Sequence, residues 1–87
     1  MKLKEGVIIT RNGEEYIVVA AGEAGKSFSG MIRLNRSAAY IAECLQEETT
    51  VETLKQCLLG KYEITEEQAA AAIQLVVEKL NGAGLME

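Results

Sequence analysis

The chain has 87 residues, of which 48% are hydrophobic and 25% charged, and its net charge is −4. A chain of this length buries about 60–65% of its unfolded surface, which suffices for one hydrophobic core but not for two. We therefore expect a single domain over residues 1–87, and the composition excludes an intrinsically disordered protein.

A β-hairpin is predicted near the N-terminus. Residues 7–11 and 14–20 are rich in β-branched side chains and flank Asn12-Gly13. Asn-Gly between two such segments is the strongest local signal for a hairpin, because both turn positions favour a positive φ angle. A two-residue turn at this position would pair Ile9 with Tyr16.

A short third strand is predicted at Met31, Ile32, Arg33 and Leu34, after a glycine- and serine-rich loop at residues 22–30. No later segment has the pattern of a strand, so the sheet would have three antiparallel strands with the third at one edge. An edge strand keeps backbone N–H and C=O groups unpaired. Such an edge can bind an extended peptide as an added strand, or pair with a second copy of the chain.

Two helices are predicted after the sheet, because the hydrophobic spacing changes to three and four residues. Asn35 or Ser37 can cap the first helix, and Thr49 or Thr50 can cap the second, over residues 51–62. Glu52, three residues after Thr49, would complete a capping box. The inward positions are Ala38, Ile41, Cys44 and Leu45 in the first helix and Val51, Leu54, Cys57 and Leu58 in the second.

A third helix is predicted to begin at Thr65, with Gln68 completing a capping box, and to end at Gly82 and Gly84. Its inward stripe is Ala69, Ile73, Val76 and Leu80, and further apolar residues lie outside it, namely Ala70, Ala71, Ala72, Leu75 and Val77. This apolar arc is wider than a surface helix needs. We expect four residues at helical spacing to form a wall that faces the third strand: Ala70, Ile73, Gln74 and Val77.

Catalytic and metal chemistry find little support in the sequence, which contains no histidine and no CxxC pair. Residues 20–27 resemble a phosphate-binding loop. Nucleotide binding, however, requires a helix that begins at Lys26-Ser27. Phe28-Ser29-Gly30 and then the third strand follow instead, so this segment is predicted to be a loop that connects two strands. We therefore expect no enzyme activity, no metal and no cofactor.

The charge is divided unevenly along the chain. Residues 1–36 carry six basic and four acidic side chains, whereas residues 37–87 carry three basic and nine acidic ones. A winged-helix DNA-binding transcription regulator is an alternative for three strands and three helices. An acidic last helix would be repelled by phosphates, so this alternative is the weaker one and no nucleic-acid partner is expected.

The apolar segments bear on the location of the chain. None approaches the roughly 20 residues that span a bilayer, and the N-terminus has no apolar segment of a secretory signal. We expect a cytoplasmic protein without a membrane partner.

The order of several short motifs resembles that of the PqqD-like family, over nearly the whole chain. The motifs are the end of the third strand at Leu34-Asn35-x-Ser37, then Ala39-x-Ile41, Thr50-Val51-Glu52-x-Leu54, Leu58, Tyr62, and Leu80-x-x-x-Gly84-Leu85. Each is weak alone, so the resemblance depends on their order and on the matching length. Members of this family recognise leader peptides in pathways of ribosomally synthesised, post-translationally modified peptides.

The resemblance implies an α+β, winged helix-turn-helix-like fold, with a three-stranded antiparallel sheet followed by a three-helix bundle. It also implies that the leader of a precursor peptide adds as a strand to the edge of the third strand, against the third helix. Members stand alone or are fused to modifying enzymes, often radical-SAM maturases, and this chain would stand alone. A small accessory subunit that docks on an enzyme without touching the peptide is a further alternative, which the sequence does not separate from leader recognition. It departs from many relatives in the small Ala42 after Ile41 and in its alanine-rich third helix.

Overall fold

A computed structural model describes residues 1–27 and 30–87 of the chain. Its elements in chain order are β1 Val7–Asn12, β2 Glu15–Ala20, α1 Gly22–Ser27, β3 Ile32–Leu34, α2 Arg36–Cys44, α3 Val51–Lys61 and α4 Glu66–Gly82. The strands form one antiparallel sheet in the order β1-β2-β3. The predicted α+β fold, a three-stranded antiparallel sheet followed by three helices, is confirmed.

The segment between β2 and β3 differs from the predicted loop, because residues Gly22–Ser27 form the short helix α1. The rest of the predicted loop includes Phe28 and Ser29, which lie outside the described residues. A phosphate-binding loop would need a helix that begins at Lys26-Ser27. In α1 these two residues are instead the last two of the helix, so the backbone geometry does not suit a phosphate.

The hairpin is present, but its register differs by two residues from the predicted one. Asn12 pairs with Glu15 across a Gly13-Glu14 turn, and Ile9 lies opposite Val18. Gly13 has a φ of 68°, and no described residue other than glycine has a positive φ. A turn with glycine at its first central position needs only one positive φ, so Asn12 remains in the strand. A shift of two residues leaves every side chain on its predicted face.

The hydrophobic core lies between one face of the sheet and the helices α2 to α4. The predicted inward residues of α4 are all buried, as are the central apolar residues of α2 and α3. The buried side chains are Leu3, Val7, Val18, Ile32, Leu34, Ala39, Ile41, Ala42, Leu45, Leu54, Leu58, Ala69, Ile73, Val76, Leu80 and Leu85.

Four of the predicted inward residues are less buried than expected: one is exposed, and three, including Ala38 of α2, are half-buried. Val51 is 48% exposed, because it is the first residue of α3 and lies beside α4 rather than beneath it. Cys44 and Cys57 are both half-buried and free. The prediction for Val51 is therefore wrong, and the two thiols lie at the margin of the core.

The structure shows which of the alternative residues cap α2 and α3. The Asn35 side chain accepts a hydrogen bond from the Ala38 N–H at 2.8 Å. Thr50, not Thr49, caps α3 by accepting from the Thr53 N–H, so the predicted box between Thr49 and Glu52 does not form.

The capping box of α4 is confirmed by two reciprocal hydrogen bonds. The Thr65 hydroxyl accepts from the Gln68 N–H at 3.1 Å, and the Gln68 side chain accepts from the Thr65 N–H at 3.0 Å. Local hydrogen bonds therefore stabilise the start of α4.

The end of α4 is a Schellman motif. Gly84 has a φ of 76°, the Leu85 N–H donates to the Leu80 C=O at 3.0 Å, and the Gly84 N–H donates to the Asn81 C=O at 3.0 Å. Leu80 and Leu85 are both fully buried, which is the apolar contact that accompanies this motif. The tail therefore continues into the core.

The two ends of the chain are joined by backbone contacts. Leu3 forms an isolated antiparallel bridge with Met86, and the Lys4 N–H donates to the Leu85 C=O at 2.8 Å. The Leu3 N–H donates to the Leu45 C=O, also at 2.8 Å. The N-terminal segment thus connects the end of α2 to the end of α4.

We expect the Thr65→Ala variant to unfold about 1 kcal/mol more easily than the parent, because it leaves a helix N–H without its cap. Urea unfolding followed by circular dichroism at 222 nm measures this difference. Thr65→Ser keeps the hydroxyl and is the matched control, so an equal loss in both variants would contradict a capping role.

Candidate functional site

The free edge of β3 is the first part of the candidate site. β3 pairs with β2 on one side, and in the described part of the chain no strand pairs with its other side. Ile32 and Leu34 are buried in the core and Arg33 is exposed, while Met31 precedes the strand and is 58% exposed. The predicted edge is therefore in place, although the strand has three residues rather than four.

A groove of about 310 Å³ lies between this edge and α4, and we call it the strand-edge groove. Leu34, Ala38, Ala72 and Val76 give it an apolar lining, and Leu75 beside them is 68% exposed. Its full lining is Arg33, Leu34, Asn35 and Ala38 on one side and Ala72, Leu75, Val76 and Lys79 on the other.

The charged groups that line the strand-edge groove are both cationic. They are Arg33 on β3 and Lys79 in the last turn of α4. Arg33 also contacts Glu15 at 3.8 Å, but both side chains are largely exposed, so this ion pair is weak and screened by solvent. The groove therefore suits a guest that combines apolar side chains with negative charge.

The predicted wall on the last helix does not lie beside β3. Ala70, Gln74 and Val77 line a second groove with Val51 of α3, and Ile73 lies at its base and is only 1% exposed. Successive residues of an α-helix are rotated by about 100°. This rotation places the predicted residues on one side of the buried stripe of α4 and the residues that line the strand-edge groove on the other.

The structure thus brings Arg33 and Leu34 together with a set of α4 residues that the sequence argument did not select. These residues are Ala72, Leu75, Val76 and Lys79. One signal for them was present in the sequence, because Leu75 is a large apolar residue outside the inward stripe and Lys79 follows one turn later. A peptide-binding role for Met31, Ile32, Arg33 and Leu34 stays a prediction.

A cluster of aromatic and sulfur side chains lies between α2 and the C-terminal half of α3. The rings of Tyr40 and Tyr62 meet edge to face with centroids 6.2 Å apart, and the Lys61 ammonium lies 4.3 Å from the centre of the Tyr40 ring. Burial, with smaller contributions from Cys57 and other neighbours, raises the pKa of the Cys44 thiol. Because the thiolate is the reactive form, Cys44 is a poor nucleophile at neutral pH.

Two further properties concern residues 1–27 and 30–87, the part of the chain that the structure describes. Within these ranges, no three histidine, cysteine or acidic side chains are grouped so that they could hold a metal ion. None of the helices there is long and apolar enough to span a membrane.

Comparisons with known proteins agree with this architecture. The family model described as coenzyme PQQ synthesis protein D (PqqD) matches residues 10–86. A search of curated proteins gives no match.

Two solved structures share the fold. One is TbiB1 in complex with the TbiA(beta) leader peptide, with a TM-score of 0.77 and 16% identity, over 100% of this chain and 95% of that one. The other is lasso peptide synthetase B1 complexed with the leader peptide, with a TM-score of 0.72 and 21% identity, over 97% of this chain and 93% of that one.

Proposed function

Because the chain belongs to the PqqD family, we propose that it binds the leader of a precursor peptide and presents it to a modifying enzyme. The observation that carries this proposal is the free edge of β3 beside an apolar groove. The two solved structures with the same fold are both complexes with leader peptides, which supports the same type of guest here.

The proposed mode of binding is the addition of a strand. An extended leader would pair its backbone with the free edge of β3, and alternate side chains of the leader would enter the strand-edge groove. Arg33 and Leu34 lie on the β3 side of this groove, and Leu75 and Lys79 lie on the α4 side. The chain would therefore act by recognition and not by catalysis.

Backbone pairing by itself would contribute little to the net binding free energy, so side chains of the leader must contribute most of it. About two to four main-chain hydrogen bonds contribute roughly 1 kcal/mol net each, whereas ordering a disordered peptide costs about 2–5 kcal/mol. These two terms nearly cancel. One or two apolar anchors, at about 1.5–3 kcal/mol each, would then decide the affinity. The specificity of the protein would accordingly depend on the groove and not on the edge.

The alternative of a winged-helix DNA-binding regulator gains no support from the comparisons or from the surface charge. Exposed Glu66, Glu67 and Glu78 lie on α4, the helix that would approach a duplex, and phosphates would repel them.

The partners that follow from this proposal are the precursor peptide and an enzyme such as a radical-SAM maturase. The reaction would take place in the cytoplasm, where precursor peptides are synthesised. A second copy of the chain could also pair at the free edge of β3. Such a homodimer would compete with the leader for the same backbone groups.

Nuclear magnetic resonance titration of the ¹⁵N-labelled chain tests the proposed function. The titrant is the leader of a precursor encoded nearby, and a scrambled leader is the control. We expect shifts at Arg33, Leu34, Ala72, Leu75 and Lys79, because these residues line the strand-edge groove. An absence of shifts across the available leaders, or equal shifts with scrambled ones, would contradict the proposal.

A further inference from the structure

The second groove on α4 is an apolar surface that the proposed function does not use, and we call it the helical groove. It has a volume of about 330 Å³ and lies between the first turn of α3 and α4. Val51 is 48% exposed there, although a valine at this position contributes nothing to capping. The lining residues are Val51, Ala70, Ile73, Gln74, Val77 and Glu78.

One acidic side chain lines the helical groove, and two more lie on the same side of α4. Glu78 lines it and accepts a hydrogen bond from Gln74 at 3.1 Å. At about 100° per residue, Glu66 and Glu67 lie on the same side of α4 as Ala70 and Gln74. This charge is opposite in sign to that of the strand-edge groove, where the charged lining residues are Arg33 and Lys79. The two grooves therefore suit partners of opposite charge.

The positions of the two grooves allow both to be filled at once. They flank the buried stripe of α4 from opposite sides, and they share no lining residue. A protein that presents a peptide must hold the peptide and contact the enzyme at the same time. The helical groove provides a second surface that a bound leader would leave open.

We propose that the helical groove docks the modifying enzyme, through a cationic segment of that enzyme whose one or two apolar side chains fill the groove. This inference rests on the proposed function. The match is one of charge and shape: an apolar groove with an acidic border fits a basic partner with an apolar anchor.

A second copy of this chain fits the helical groove poorly. A twofold interface brings the same surface of both copies together. It would place Glu66, Glu67 and Glu78 of one copy against those of the other, and this contact of like charges is unfavourable.

The charge and shape of the docking surface can be tested with a defined probe. The probe is a synthetic amphipathic peptide of leucine and lysine, titrated into the ¹⁵N-labelled full chain, and the matched control replaces each lysine with glutamate. We expect shifts at Val51, Ala70, Gln74, Val77 and Glu78 with the cationic peptide only, with or without saturating leader. Equal binding of the acidic peptide, or shifts confined to the strand-edge groove, would overturn the proposal.

The partner itself is tested with the purified modifying enzyme encoded beside the chain, by isothermal titration calorimetry. Val51→Ser and Glu78→Lys should each weaken the complex about tenfold, by removing an apolar contact and by reversing a border charge. Ile8→Ser and Glu14→Lys are matched controls, since Ile8 is exposed to a similar degree, 45%, and Glu14 lies in the hairpin turn. Both controls should bind the enzyme as the parent does.

The outcomes separate this inference from the proposed function. Loss of enzyme binding in Val51→Ser and Glu78→Lys with unchanged leader affinity supports docking at the helical groove. Loss of leader affinity with unchanged enzyme binding overturns it and makes the leader the occupant. Parental enzyme affinity in both variants also overturns it. Failure of the parent to bind any leader would refute the proposed function, whereas the response to the peptide probes would still report on the groove.

Discussion

Replacing Leu75 with aspartate should lower the affinity for a leader peptide by about tenfold to a hundredfold while leaving the fold intact. Leu75 lines the strand-edge groove and is 68% exposed, so the free protein loses little when it is changed. Covering a leucine with a bound guest is worth about 1.5–3 kcal/mol, and each 1.4 kcal/mol corresponds to tenfold in affinity. Because backbone pairing and peptide ordering nearly cancel, this anchor accounts for much of the net affinity.

Fluorescence anisotropy with a labelled leader measures this effect, and circular dichroism checks the fold. Val51→Asp is the matched control, because it places the same charge at an exposed apolar site in the helical groove. We expect it to change leader affinity by less than about twofold, since surface changes away from the bound guest are nearly neutral. Parental affinity in Leu75→Asp, or a larger loss in Val51→Asp, would place the leader elsewhere.

Replacing Leu85 with alanine should lower the free energy of unfolding by about 2–5 kcal/mol, the usual cost of such a change in a core. Leu85 is fully buried although it is the third residue from the end of the chain. Its N–H closes the Schellman motif of α4, and its C=O accepts from the Lys4 N–H. A domain of this size has roughly 4–13 kcal/mol of stability in total, so the change removes a large part of it.

Urea unfolding measures the cost, with Met86→Ala as the matched control. Met86 is the next residue and pairs with Leu3, but it is only half-buried, so its replacement should cost clearly less. A loss below about 1 kcal/mol in Leu85→Ala would mean that the tail does not contribute to the core. The same variant should also weaken leader binding, because Lys79 lies in the last turn of the helix that Leu85 fixes.

The parts of the fold that could be predicted are those that depend on neighbouring residues in the sequence. The capping box of Thr65 and Gln68 and the hairpin around Gly13 are short-range effects, and both are present.

The exact hairpin register was missed because Asn12-Gly13 and Gly13-Glu14 can both form a two-residue turn. The first turn needs a positive φ at both residues, whereas the second needs it at Gly13 only. Helix α1 was missed because its two glycines and one serine are typical of a loop, and the burial of Leu3 was missed because it depends on contacts with Leu45 and Met86, far along the chain.

In the candidate site, too, one part could be predicted from the sequence and another could not. The edge at β3 could be predicted, because the number of strands follows from the sequence and a third strand with no later partner must lie at an edge. The wall of the groove could not. Apolar residues lie on both sides of the inward stripe of α4, with Leu75 on one side and Val77 on the other, so periodicity alone does not say which side meets β3.

The amino-acid sequence by itself determined the order of the three strands and the three longer helices, the caps of α4, the buried stripe through Ile73 and Leu80, and the free strand edge. The first three follow from the spacing of side chains along single elements, and the free edge follows from the number of strands. Only the tertiary structure decided that Leu75 and Lys79 face β3 while Val77 faces α3, because the rotation of a helix about its own axis is set by packing against its neighbours. That rotation separates the surface proposed for the peptide from the surface proposed for the enzyme.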